Sequence, residues 1–131
     1  QVPLPEGATA LVYSRGSVPA TTLGMLQKGM TSVTAASKTT YTAVAGDQIV
    51  VDTVANPVTI TLPASPAVGD EVTIMDGSAS NGFATNNCII DRNSQPIEGS
   101  AANDTLATNN QSVTLIYANA TKGWLYKSTN Q

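Results

Sequence analysis

The chain has 131 residues, the size of one ordinary domain, and 41% of them are hydrophobic, which is enough to form a core. Charged residues make up only 11%, the net charge is -3 and the six basic residues are scattered, so neither a disordered chain nor a nucleic-acid-binding protein is expected. No apolar stretch approaches membrane-spanning length, which predicts a soluble protein without membrane insertion.

The polar surface is expected to consist mainly of neutral hydroxyl and amide groups. The sequence contains 18 threonines, and serine and asparagine are also plentiful. Threonine is β-branched and fits the half-exposed face of a pleated sheet. Such a surface suits a protein that works outside a cell or packs against copies of itself.

Residues 1–36 are predicted to form an extended N-terminal arm. This part is punctuated by proline and glycine, and its only plausible strand is Ala8–Tyr13. Apolar side chains without a core of their own are expected to contact another surface. The arm therefore either docks on the virion or a neighbouring subunit, or packs against its own domain. The predicted contact residues in it are Leu11, Val12, Leu23, Met25 and Leu26.

Residues 37–131 are predicted to form a β-domain, because short alternating segments recur about every ten residues. Val58, Ile60 and Leu62, for example, share one strand face. The pattern predicts an all-β fold, either an antiparallel β-sandwich or a small barrel-like domain, without long helices. The predicted strands are Thr39–Ala43, Gln48–Asp52, Val58–Leu62, Glu71–Met75, Cys88–Arg92, Gln95–Glu98, Val113–Tyr117 and Trp124–Lys127. The predicted core residues are Val58, Ile60, Leu62, Val72, Ile74, Leu115 and Trp124.

A local echo marks two of the predicted turns. The segment 45–51 resembles the segment 68–74, 23 residues later, and each is a Gly-Asp turn that leads into a strand. Glycine supplies the unusual backbone angle, and aspartate can cap the turn through its own side chain. The echo is interpreted as one turn used twice, since a solenoid needs about three repeats.

The residue types exclude several kinds of chemistry. The chain has no histidine, so neither Ser/Cys-His catalysis nor a His-ligated zinc site is expected, and the single Cys88 is interpreted as a buried thiol. Asp47, Asp70 and Asp76 lie in turn signatures, which disfavours a pair of catalytic carboxylates. We therefore predict no enzymatic activity, no catalytic residues and no cofactor.

One loop has a partial resemblance to a calcium-binding loop. Asp76, Ser78, Ser80 and Asn81 carry oxygen ligands, but Asn87 lies where the bidentate glutamate is expected. A turn-rich loop without a metal is the favoured interpretation.

Two aromatic residues lie on one face of the last predicted strand. Trp124 and Tyr126 could stack on a sugar ring or pack inside the domain or between subunits, and packing is favoured. They complete the set of candidate interaction residues.

The stretch from Thr40 to Trp124 resembles a β-domain that recurs in bacteriophage tail fibres, tailspikes and head or neck fibres. The order and spacing of short motifs carry the resemblance. These motifs are Ala45-Gly46-Asp47, Val51-Asp52-Thr53, Val58 to Ala64, Pro66 to Asp70, Asp76-Gly77, Asn86-Asn87, Arg92-Asn93, Ile97-Glu98-Gly99, Leu115-Ile116-Tyr117 and Gly123-Trp124.

The resemblance implies a structural virion protein that forms a homotrimer and acts in assembly or host attachment. Its expected partners are copies of itself and other phage virion proteins of the capsid, neck or tail. An alternative is an adhesin module that binds a bacterial surface glycan through Trp124, Tyr126 and the loop from Asp76 to Asn87. A polysaccharide depolymerase is a third, less favoured hypothesis.

Overall fold

The computed structural model describes the backbone of residues 29–130 and side chains through Lys127. Nine β-strands and no helix occur in this part of the chain, so the fold is all-β, as predicted. The strands are β1 (Met30–Thr34), β2 (Thr40–Thr42), β3 (Gln48–Asp52), β4 (Val58–Thr61), β5 (Glu71–Asp76), β6 (Cys88–Asp91), β7 (Asp104–Leu106), β8 (Ser112–Asn119) and β9 (Gly123–Asn130).

The strands form two mixed sheets. The five-stranded sheet has the order β9-β8-β5-β3-β1, and the four-stranded sheet has the order β2-β4-β6-β7. Four pairings are parallel: β1 with β3, β3 with β5, β2 with β4, and β4 with β6. The pairings of β5 with β8, β8 with β9 and β6 with β7 are antiparallel.

The predicted antiparallel sandwich or barrel is therefore wrong in its strand pairing, and the sheets do not close into a barrel. Strands β1–β6 alternate between the two sheets, so a parallel neighbour is reached only after a full circuit. Met30 pairs with Gln48, and Gln48 pairs with Thr73. The result is a short stack of three coils, each with one strand from each sheet, as in a β-solenoid.

The two Gly-Asp turns have the same geometry, which confirms that one turn is used twice. Gly46 has φ +90° and Gly69 has φ +95°, as the third position of a type II turn requires. The Asp47 carboxylate accepts the N–H of Val44 at 2.9 Å, and the Asp70 carboxylate accepts the N–H of Ala67 at 2.9 Å. Each turn thus passes from the four-stranded sheet to the next strand of the five-stranded sheet.

The core lies between the sheets. The predicted core residues are all fully buried: Val58, Ile60, Leu62, Val72, Ile74, Leu115 and Trp124. Phe83 enters the same core from the loop between β5 and β6, and Cys88 lies in it as a free thiol. Alternation along the strands therefore predicted correctly which faces are buried.

The boundary of the predicted arm needs correction. The arm was expected to extend to residue 36, but β1 belongs to the five-stranded sheet and pairs with β3. Val33 of β1 is buried in the core. Residues 1–28 lie outside the described part of the chain, and with them lie the predicted strand and the contact residues Leu11, Val12, Leu23, Met25 and Leu26.

The C-terminal part closes the stack with antiparallel strands. Strand β7 was not predicted, since only one of its three residues is apolar. The predicted strand Gln95–Glu98 forms isolated bridges instead, in which Ile97 pairs with Ser100 and Trp124. This segment runs beside β9, and the N–H of Trp124 donates to the carbonyl of Pro96 at 2.8 Å.

Candidate functional site

The most structured surface depression lies around Tyr126, where β7 and β9 form the outer edges of the two sheets. Two depressions of about 250 and 230 Å³ lie there, and Asp104 and Tyr126 line both. Gln111 lines the first depression and Glu98 lines the second. We call these two depressions together the tyrosine groove.

Tyr126 is held in the groove by two carboxylates. Its hydroxyl donates a short hydrogen bond to Asp104 Oδ2, and its backbone N–H donates to Glu98 Oε2 at 3.2 Å. The second oxygen of Asp104 accepts the N–H of Thr105 at 2.8 Å. The tyrosine ring is therefore fixed in orientation at the edge of the core.

The environment raises the pKa of the Tyr126 hydroxyl well above its ordinary value. Burial is the largest cause, followed by the hydrogen bond to Asp104 and by the negative charges of Asp104 and Glu98. Tyr126 thus stays protonated across the physiological pH range and acts as a hydrogen-bond donor. It can offer a ligand an aromatic surface, but it cannot serve as a general base there.

Glu98 and Asp104 bring two carboxylates to one depression, which is the feature that a glycosidase would need. In this structure, however, both of them accept hydrogen bonds from Tyr126. Their visible role is to position the tyrosine.

Trp124 belongs to the core rather than to a binding surface. Its side chain is fully buried, and its ring packs edge to face against Tyr117, with 5.5 Å between centroids and 68° between planes. Among the described residues, the indole Nε1 has no hydrogen-bond partner. Of the two aromatics predicted on this strand face, only Tyr126 lines the groove.

The loop between β5 and β6 is organised around Asp76. One carboxylate oxygen accepts the N–H of Ser78 at 3.0 Å, and the other accepts the N–H groups of Phe83 and Asn110 at 3.1 and 3.0 Å. Burial raises the pKa of Asp76, but the hydrogen bonds outweigh it and hold the pKa below its ordinary value. The carboxylate thus shapes the loop.

The other candidate calcium ligands do not converge into an acidic cluster. Ser78 Oγ accepts the N–H of Thr53 at 2.9 Å. In the described part of the chain, no group of three or more His, Cys, Asp or Glu side chains is placed to hold a metal ion. The favoured interpretation of a turn-rich loop agrees with these contacts.

The single thiol has no visible chemical role. Cys88 is buried in β6, and burial, with a smaller contribution from the Asp76 charge, raises its pKa to about 12. A thiol with such a pKa is not a nucleophile at neutral pH.

A second surface of interest was not predicted from the sequence. Large apolar side chains are exposed at Met30, Val44 and Val68, with exposed fractions of 56%, 51% and 76%. Val44 and Val68 both lie in the Gly-Asp turns. The echo between these turns was the signal that could have placed both valines on one side of the domain.

Comparison with known proteins identifies no relative: no protein-family model matches the chain, and no curated protein matches it significantly. Residues 29–130 contain no helix that is long and apolar enough to cross a membrane.

Proposed function

We propose that the chain is a non-enzymatic structural domain of a bacteriophage virion, a homotrimeric fibre or appendage domain that acts in assembly. The observation that carries this proposal is the use of its acidic side chains. Eight acidic residues lie in the described part of the chain, and Glu71 pairs with Lys127 at 2.9 Å. The other seven accept a hydrogen bond from a backbone N–H: Asp47, Asp52, Asp70, Asp76, Asp91, Glu98 and Asp104.

Carboxylates used in this way fix turns and strand ends instead of facing a substrate. A backbone N–H that loses its partner costs free energy, so each cap contributes to a defined loop shape. This is the arrangement expected of a rigid scaffold. The sequence resemblance from Thr40 to Trp124 supports the assignment to a phage fibre or appendage, and the low charge of the surface supports packing between copies.

Two measurements test this proposal. Light scattering on the purified full chain should give three times the 13.4-kDa chain mass, and a monomer at micromolar concentration would contradict the trimer. Immunogold labelling of purified phage particles with an antibody against the chain should mark an appendage. Particles that carry no label would contradict the location in the virion.

The tyrosine groove favours a second candidate function, the binding of a bacterial surface glycan for host attachment. A half-buried tyrosine flanked by carboxylate and amide groups offers both ring stacking and hydrogen bonds to a sugar. The sequence-level version of this hypothesis used Trp124 as well, but that residue is buried.

Cell-binding experiments separate the two functions. If the groove binds glycan, the labelled chain should bind host cells, and Tyr126→Ala should lose that binding. Tyr41→Ala is a matched control, because Tyr41 also packs partly buried against the core but lies on β2, away from the groove. Equal binding by both variants would contradict a glycan site in the groove.

A further inference from the structure

The turns of the coil stack form two opposite corners with different surfaces. Turns that pass from the four-stranded to the five-stranded sheet lie at one corner, which comprises residues 43–47 and 62–70 and the start of β1 at Met30. We call it the valine corner. Turns that pass the other way, residues 35–39, 53–57 and 77–87, lie at the opposite corner, which we call the polar corner.

Hydrogen bonds stack the turns of the valine corner on each other. The N–H of Gly46 donates to the carbonyl of Glu71 at 2.8 Å, directly after the second Gly-Asp turn. Gly69 in turn donates its N–H to the carbonyl of Tyr117 at 2.9 Å. Met30 pairs with Gln48, directly after the first turn. The exposed side chains of Met30, Val44 and Val68 therefore lie on successive coils at the same side of the stack.

The valine corner exposes mainly small apolar groups. Besides the two valines, Ala45, Ala64 and Ala67 are exposed there. Exposed apolar residues that occur singly need no explanation, but several of them on successive coils of one corner are typical of a protein interface.

Charged groups are turned away from the same corner. Asp47 is buried, and the Asp70 carboxylate bonds to the N–H of Ala67 within its own turn. The neighbouring Glu71 is neutralised by Lys127. A copy of the same corner can therefore approach it without repulsion between like charges.

We infer that the valine corner is the surface through which copies of this chain contact each other, an inference that rests on the proposed homotrimer. The occupant is a second copy because the corner is uncharged and can therefore meet itself. The corner also runs along the stacking direction, so an axis parallel to the stack brings the same residues of each copy together. Val, Ala and Gly side chains are small enough to allow close approach at such an axis.

Sedimentation equilibrium with charged variants tests the inference on the full chain. Val44→Asp/Val68→Asp places two like charges per copy in the contact, so its mass should fall from three chains to one. Val54→Asp is the matched control, because this valine is also exposed, at 37%, but lies in the polar corner. The control should keep the mass of three chains.

The outcomes separate this inference from the proposed function. If the wild-type chain is a trimer and the double variant stays one, the valine corner is not the interface, while the trimer stands. If the wild-type chain is a monomer, the proposed trimer and the interface both fall. A double variant with one-third of the wild-type mass and an unchanged circular dichroism spectrum supports the inference.

Cross-linking provides a readout that does not depend on the charged variants folding. Val68→Cys should give covalent dimers with a short bis-maleimide reagent, because copies of the corner meet, whereas Val54→Cys should give none. Cys88 is buried and present in both variants. Equal cross-linking of both variants, or none with Val68→Cys, would overturn the inference, including the case in which another part of the same chain covers the corner.

Discussion

The valine corner and the polar corner lie on opposite sides of the same two sheets, and aspartate side chains cap turns in both. At the valine corner, Asp47 and Asp70 close short type II turns of nearly identical geometry. At the polar corner, Asp76 holds a much longer loop by accepting three backbone N–H groups. The caps therefore explain the fold at both corners, whereas the outward-facing residues differ: valine and alanine on one side, serine, threonine and asparagine on the other. Only the second difference bears on which surface meets a partner.

The largest expected effect concerns the core on which both corners depend. Ile60 is fully buried, so Ile60→Asp places an unpaired charge between the sheets and should unfold the domain, at a cost of roughly 4 kcal/mol or more. Thermal melts followed by circular dichroism measure this. Thr59→Asp is the control, since this neighbour points to the outer face and should keep the melting transition. Equal melts for the two variants would mean that the two faces of β4 are assigned the wrong way round.

The next effect distinguishes the caps of the two corners. Asp76→Ala leaves three backbone N–H groups without their acceptor and should destabilise the domain by about 2–3 kcal/mol. Asp70→Ala removes one such acceptor at an exposed turn and should cost about 1 kcal/mol. Urea unfolding of both variants gives the two values. If Asp70→Ala proves the more damaging, Asp76 is not the anchor of the polar corner.

The pH dependence of stability should have the same origin. The pKa of Asp76 is lower in the folded chain than its ordinary value of 3.8, so its ionised form stabilises the fold. That contribution is complete at pH values well above 3.8 and is lost as the pH falls through the lower pKa of the folded chain. The stability difference between the wild type and Asp76→Asn should therefore shrink below about pH 4. A difference that stays constant from pH 7 to pH 3 would contradict this role.

The smallest expected effect concerns a turn of the valine corner. Gly69 has a positive φ and open space around its Cα, so Gly69→Ala should cost only the backbone strain, about 1 kcal/mol. Gly29→Ala is a suitable control, because the added methyl group also meets no atom within 4 Å and no positive φ occurs there. Urea unfolding should show a loss for Gly69→Ala and none for Gly29→Ala. Equal stabilities would mean that this turn carries little strain.

Strand positions and buried faces were largely predictable because they depend on neighbouring residues. The alternation of Val58 to Thr61 predicted both the strand and its inner face. Two strands were missed because they contain few apolar residues: Val33 is the only fully buried residue of β1, and Leu106 that of β7. The parallel pairing was not predictable from this pattern, because alternation sets the buried face of a strand but not its neighbour in space.

The surfaces were less predictable than the core, since they combine residues far apart in the sequence. Tyr126 was predicted as a candidate contact, but its partner Asp104 lies 22 residues earlier in a strand that was not predicted. The valine corner required knowing that successive turns stack on one side. The Gly-Asp echo contained part of that information, since it marks the same turn in two successive coils.

A crystal structure of the assembled full chain tests the central claim most directly. The account predicts three copies around a common axis, with Val44 and Val68 of each copy against the same corner of its neighbours and the tyrosine grooves facing outward. Copies that meet through the polar corner would contradict the proposed interface. A chain that is monomeric both in the crystal and in solution would contradict the trimeric scaffold itself.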